Sequence, residues 1–293
     1  MMSSPFRYCS PILAAGLLAA GCTSLPNSET APDTTQEDTT AQLDLPTAER
    51  VVALTSLSAD IIHTLDQDSL VGMPGSSLLT EDTTFDGIET VSQGRSEPDL
   101  EKIVALEPDL VIGSAGFHDK ALERMAELGV ETLSIDVASW QDLSNVTETL
   151  AAYVEADPAP LLARYEGCLA QAPETGPATL VLASSQPLLS PNKNSWAGDF
   201  LGKFNRPNVA ADLQGESPFE GYVTLSEEKL LEADPEQIIV IDTNENVGDR
   251  LAELPFWQEM QAVQSGAIYS FDYFGLINPG SIASIEKACE QLS

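Results

Sequence analysis

Positive charge is what this chain has least of. Lys and Arg together number 13 against 46 Asp and Glu in 293 residues, for a formal charge of −33. Contact along a phosphate backbone needs clustered cations, so sequence-independent nucleic-acid binding is excluded, as is adhesion to anionic lipid through basic patches. Histidine is nearly missing: His63 and His118 are the two in the chain, too few for a histidine-rich metal site. Long apolar runs are lacking too. The stretch Ile12–Ala20 falls short of the roughly 18 residues that a membrane-spanning helix requires. Disorder does not follow from the charge, because 43% of the residues are hydrophobic and Val/Ile/Leu runs recur along the chain.

Cysteine is sparse and its placement is informative. Cys9 and Cys22 fall in the N-terminal segment; Cys168 and Cys289 remain for the body, 121 positions apart. Two cysteines in an oxidising compartment suit one disulfide, and two buried thiols would give the same sequence. In the N-terminal segment Arg7 precedes the apolar stretch, which ends in Leu18-Ala-Ala-Gly-Cys22. This resembles the lipobox of bacterial lipoproteins, with Ala19 where Leu is usual, and implies cleavage before Cys22 and acylation of its thiol. An ordinary secretory signal cut near Ala20 is the alternative; either places the mature chain outside the cytoplasm. Residues 22–49 are rich in Thr, Asp, Glu and Pro, a composition that reads as a solvated tether behind a lipid anchor.

The body is one pattern written twice. Leu100–Ile112 and Glu227–Ile239 share Glu-Lys, two aliphatics, an acid, Pro, an acid and an aliphatic run, offset by 127. Val51–Ser56 matches Thr179–Ser184 at an offset of 128, and Gly129–Asp136 has its counterpart in Gly266–Asp272. Strands alternate with helices in each half, the signature of parallel α/β sheets. In the first half strands are expected near 51–55, 70–73, 88–91, 109–113 and 131–135, with helices near 58–66, 98–106, 118–128 and 139–154. In the second, strands are expected near 179–183, 208–210, 237–241 and 267–271, with helices around 196–203, 225–233 and 281–291. Pro158–Ala172, with Pro173 beyond it, reads as one connecting helix about 22 Å long. The organisation expected is a leader over 1–21, the tether over 22–49, an α/β lobe over 50–156, the connector over 157–175 and a second α/β lobe over 176–293.

These residues resemble a known family. Arg50–Ile62, with Asp60 where Glu is usual, Pro98–Gly113, Leu225–Pro235 and Asn278–Ser281 are similar to the periplasmic binding proteins that feed ferric-siderophore, haem and vitamin B12 ABC importers. The resemblance implies two similar, mainly parallel, Rossmann-like lobes, one rigid connecting helix and a ligand in the interlobe cleft. It implies an ABC permease dimer with its ATPase as partner, a monomeric protein, no cofactor of its own, and membrane contact through lipid alone. Equivalent glutamates at the lobe tips, here Glu101 and Glu228, are those that pair with permease arginines; the plain reading is acids in the first turns of helices capped by Ser96 and Thr224.

Ligands of open parallel sheets sit beyond the carboxyl ends of the strands. Loops meeting that rule are Ser92–Glu97, Ser114–His118, Leu188–Trp196, Phe219–Tyr222 and Asp272–Gly275. Arg95 is the first candidate, a guanidinium fork in a Gly/Ser loop suited to carboxylate or catecholate oxygens, or else a surface cation paired with a nearby acid. The B12 binders of the family tend to carry Trp there. Ser114, Tyr222, Tyr273 and Phe274 are further candidates for ligand contact; Trp196 suits either a cleft wall or a helix start packed on the core. Phe117 lies in the same loops, and Lys193 reads as a solvated loop lysine. His118 alone makes a poor metal or haem ligand, and His63 reads as a packed core residue. The ligand expected is an iron chelate, a ferric siderophore, with cobalamin and then haem as alternatives. An envelope enzyme is the rival class, yet no G-x-S-x-G, G-x-x-x-x-G-K or H-E-x-x-H motif occurs, and no catalytic residue is assigned.

Overall fold

The computed structural model describes residues 45–93, 96–213, 217, 219–242 and 247–293. Cys22 and Arg95, expected to carry the lipid and to contact the ligand, lie outside the described residues. Residues 45–49, expected in the tether, lie on the folded body: Ala48 is buried, and its N–H donates to the Tyr153 carbonyl at 2.8 Å.

The first lobe is a five-stranded parallel sheet, β1 (Val51–Ala53), β2 (Leu70–Gly75), β3 (Glu89–Gln93), β4 (Leu110–Ser114) and β5 (Glu131–Ile135), in the order β3-β2-β1-β4-β5. Its helices are α1 (Ser56–Leu65), α2 (Ser77–Thr80), α3 (Leu100–Ala105), α4 (Asp119–Glu127) and α5 (Trp140–Tyr153). Each expected strand and helix of this lobe is present within a few residues. The connector is α6 (Ala159–Leu169), with Pro158 before it. It is shorter than expected: its last turn closes before Ala172, the residue preceding Pro173, which proline keeps out of the helical region.

The second lobe repeats the topology on a smaller scale. Its strands β6 (Thr179–Leu182), β10 (Gln237–Asp242) and β11 (Ile268–Asp272) form a parallel sheet in the order β11-β10-β6, which matches β5-β4-β1 pair for pair. The strand expected at 208–210 is reduced to one parallel bridge between Asn208 and Thr179. Asn208 stops it, because its side-chain oxygen captures the Ala210 N–H at 2.9 Å and turns the chain away. Between β6 and β10 the chain inserts an antiparallel sheet that was not expected, β7 (Ser184–Ser185), β8 (Leu188–Pro191) and β9 (Tyr222–Thr224). The expected open loop Leu188–Trp196 is therefore a buried strand followed by a turn. The helices are α7 (Trp196–Lys203), α8 (Glu227–Ala233), α9 (Val247–Ala252), α10 (Gln261–Ser265), the kinked α11 (Tyr273–Leu276) and α12 (Ile282–Leu292).

Burial follows the two-residue period of strands with both faces covered. Val51 and Ala53 of β1, Leu110 and Ile112 of β4, Val181 of β6 and Ile239 and Ile241 of β10 point into one core that also takes α1, α5, α6, α7 and α12. The alternate residues, Val52 and Val111 on one lobe and Leu180, Leu182, Ile238 and Val240 on the other, fill a separate outer core for each lobe. The lobes thus share one continuous interior.

Candidate functional site

The carboxyl end of β11 organises the site. Asp272 accepts the Phe274 N–H at 3.3 Å, and the chain then kinks at Gly275, whose φ of +99° is open to glycine. A Cβ there would stand 2.2 Å from the Ser284 carbonyl of α12, so the kink is wedged against that helix. Gly275 N–H donates to Asn278 O at 2.7 Å and closes the turn. The result presents Tyr273 and Phe274 side by side, ring centres 5.4 Å apart and edge to face.

Tyr222, at the start of β9, joins them. Burial and the neighbouring Tyr273 push its hydroxyl well above the usual tyrosine range, so it stays a neutral donor and acceptor. Phe219 stands edge-on to it at 6.4 Å and is 60% exposed, an apolar ring held in solvent. From the first lobe, Leu78 of α2 reaches the same place: a Cβ on Gly280 would meet Phe274 Cδ1 and Leu78 Cδ1. Half-buried Tyr222, Tyr273 and Phe274 thus form, with exposed Phe219, an aromatic wall of two edge-to-face pairs, and Phe274 shares the surroundings of Gly280 with Leu78 of the other lobe. Such faces are chemically suited to flat apolar surface, with two hydroxyls able to orient it.

In the first lobe the candidate residues lie on the turn after β4. Ser114 ends the strand half-buried, and its N–H donates to Nδ1 of buried His118 at 3.0 Å, which leaves the imidazole proton on Nε2. Burial lowers the His118 pKa, and Asp119 partly opposes this. With Nδ1 engaged in holding the turn, His118 serves the backbone rather than a metal. Among the described residues no group of three or more His, Cys, Asp or Glu is arranged to hold a metal ion. Phe117, on the same turn, stands edge-on to His118 at 4.8 Å and is 65% exposed.

The other expected site residues fall elsewhere. Trp196 is a core residue, 3% exposed, stacked among Trp140 and Phe200. Its position one residue after the Ser195 cap turns the indole inward. Lys193 forms an exposed ion pair with Asp212 at 2.6 Å. His63 is half-buried rather than core, tilted on Phe85 with Nε2 3.0 Å from the Thr84 carbonyl. Glu101 and Glu228 are both exposed in the first turns of α3 and α8. The caps of those helices are Asp99 and Ser226, three and two residues nearer the helix than the expected Ser96 and Thr224, because the cap must reach the second or third free N–H. Cys168 of α6 and Cys289 of α12 lie with Cα atoms 5.7 Å apart and sulfurs in bonding contact.

Two contributions were not anticipated from sequence. Leu78 follows β2 at the carboxyl edge, where the rule for parallel sheets applies equally. Asp60 and Asp199 bind across the lobes: Asp60 accepts the Ile282 N–H at 2.7 Å, and Asp199 accepts the Trp140 N–H at 2.9 Å. Neither signal is local, since each acid caps a helix far away in the chain.

Comparison with known proteins agrees with this architecture. The chain is 25% identical to the vitamin B12-binding protein of Salmonella typhimurium over 205 residues, covering 66% of this chain and 73% of that one. It is 25% identical to the Fe(3+)-citrate-binding protein YfmC of Bacillus subtilis over 292 residues, covering 90% and 88%. The crystal structure of the periplasmic vitamin B12 binding protein of Vibrio cholerae superposes with a TM-score of 0.65 at 21% identity, over 84% of this chain and 95% of that one. The family model described as periplasmic binding protein matches residues 51–273, and the chain belongs to that family.

Proposed function

We propose that this protein is an extracytoplasmic solute-binding lipoprotein that captures a ferric siderophore between its lobes and delivers it to an ABC permease. The observation that carries the reading is the aromatic group of Phe219 and Tyr222 at the start of β9 with Tyr273 and Phe274 beyond the carboxyl end of β11. A wall of aromatic faces and phenolic hydroxyls favours a chelate with aryl donors over a small hydrophilic one. Arg95 belongs to this reading as the anion clamp for such a chelate.

Cobalamin is the second reading, favoured by the same wall, since a corrin also presents a broad apolar face, and by the similarity to vitamin B12-binding proteins. Glu101 and Glu228, one on each lobe at equivalent positions of the internal repeat, are proposed to meet the two halves of the permease. Anchoring through acylated Cys22 completes the assignment.

Calorimetric titration of the mature protein with ferric catecholates, cyanocobalamin and haemin tests it. Binding of a ferric catecholate tighter than cyanocobalamin supports the siderophore reading. Preference for cyanocobalamin replaces it with the second reading, and binding of none removes both.

A further inference from the structure

Trp196 is buried beneath the aromatic wall, out of reach of any ligand, yet one bond joins it to that wall. Its Nε1–H donates to the Gly275 carbonyl at 2.7 Å, in the kink that carries Tyr273 and Phe274. The acceptor lies one residue past Phe274, where φ is +99° and ψ −62°, so the bond fixes a backbone unit outside any regular ladder. On its other side the indole meets the first lobe. The Trp140 ring lies 5.3 Å from it and 5.1 Å from Phe200, and the Trp140 N–H is held by Asp199 of the same helix, α7.

We propose that Trp196 is a positioning residue: its indole N–H fixes the Tyr273–Phe274 turn and sets it relative to the first lobe through Trp140. A tryptophan that only filled the core would not need its nitrogen at that carbonyl. Buried indole nitrogens do not always find a partner here, since Nε1 of Trp140 has none among the described residues. The Trp196 bond is buried, so its loss leaves the Gly275 carbonyl unsatisfied. The consequence should be local, in the turn that the carbonyl belongs to.

The binding part of the inference rests on the cleft reading above, and the test separates the two. Trp196→Phe removes the N–H; benzothienylalanine at 196 removes it while keeping the fused-ring shape. In both, hydrogen exchange across 273–278 is expected to quicken about tenfold, with β4 and β10 unchanged. Calorimetric affinity for whichever of ferric catecholate, cyanocobalamin or haemin the wild type binds should fall by a similar factor. Unchanged exchange at 273–278, or an equal rise in β4 and β10, overturns the proposal. If the wild type binds none of the probes while exchange at 273–278 responds, the positioning role stands and the cleft reading falls.

Discussion

The Asp60 carboxylate of α1 accepts the Ile282 N–H that opens α12 at 2.7 Å, across 222 residues of chain and from one lobe to the other. It caps the helix from outside, beside the local cap Ser281. Burial raises the Asp60 pKa, while the Ile282 N–H and Arg164 act in the opposite direction without cancelling it. A folded pKa above the unfolded value favours the protonated form. The resulting stability is complete below the ordinary aspartate range and is lost as pH rises through the folded pKa. The amide of Asn accepts the same bond without a buried charge. Asp60→Asn should therefore match or exceed the wild type in urea midpoint at pH 7, whereas Asp60→Ala, which leaves Ile282 N–H without its acceptor, should lose about 1 kcal/mol. A large loss in Asp60→Asn would show instead that the charge itself is needed against the helix dipole.

His118 gives the opposite sign. Its folded pKa is below the ordinary value of about 6.5 because burial disfavours the imidazolium. Protonation would also put a proton on Nδ1, where the Ser114 N–H now donates. The stability it contributes is present above the unfolded pKa and is lost as pH falls through about 6.5 toward the folded value. Carboxylates titrate over a neighbouring range, so the comparison is with His118→Asn. The wild type should be the more stable chain at pH 7.5, and the gap should narrow by pH 5 in urea melts. A gap independent of pH would sink the idea.

The excess charge belongs to the folded body. Residues 51–293 carry 40 acids and 11 bases, a net of −29, so the tether and leader account for little of it. The described ion pairs Lys102–Glu89, Arg124–Glu127 and Lys193–Asp212 are exposed and each contributes little. Self-repulsion among the remaining acids therefore dominates, and salt screens it over about 8 Å at physiological strength. Thermal midpoints should rise by several degrees between 0.02 and 0.5 M NaCl, a shift of about 2–4 °C for each kcal/mol gained. A flat or falling midpoint would mean that the acids are spaced too widely to interact.

Where sequence reading succeeded, burial made the pattern unambiguous. Val51–Ala53, Leu110–Ser114 and Gln237–Asp242 lie inside parallel sheets, and such strands are apolar on both faces. The Pro-containing turns before β4 and β10 marked their starts. The insert β7–β9 escaped because Ser184–Ser185, the near partner of β8, has no apolar signature, and the other partner of β8, Tyr222–Thr224, lies over 30 residues away. Among the candidate residues, Tyr273 and Phe274 lie where the rule about strand ends puts them, just past β11, whereas Tyr222 opens β9. Trp196 did not separate from them, because a residue under a wall and a residue in it occupy the same loops in sequence. The burial of Trp196 and its bond to the Gly275 carbonyl tell them apart.

Cys168 and Cys289 join the connector to the last helix, the same two elements held on the outside by Arg164 and Glu286 at 2.8 Å. A cross-link over 121 residues restricts the unfolded chain strongly. Replacing both cysteines by Ser should lower stability by about 2–4 kcal/mol, read from urea melts, and mass spectrometry without reductant should show the linked peptides. Free thiols in the untreated protein would refute the bond.

Glu101 and Glu228 are the equivalent acids of the two lobes, exposed in the first turns of helices that already have side-chain caps in Asp99 and Ser226. Because those caps satisfy the helix starts, neither glutamate is needed for folding, and each is free to face a partner. Reversal to Lys at either site should change the unfolding free energy read from urea melts by less than about 1 kcal/mol, since it removes one favourable charge from a helix start. Affinity for the ligand should stay within twofold, because neither residue belongs to the aromatic wall. Uptake in cells that depend on this protein should fall more than tenfold in Glu101→Lys/Glu228→Lys and less in each single variant, as a two-fold permease would require both contacts. Normal uptake by the double variant would move the docking surface elsewhere on the lobes.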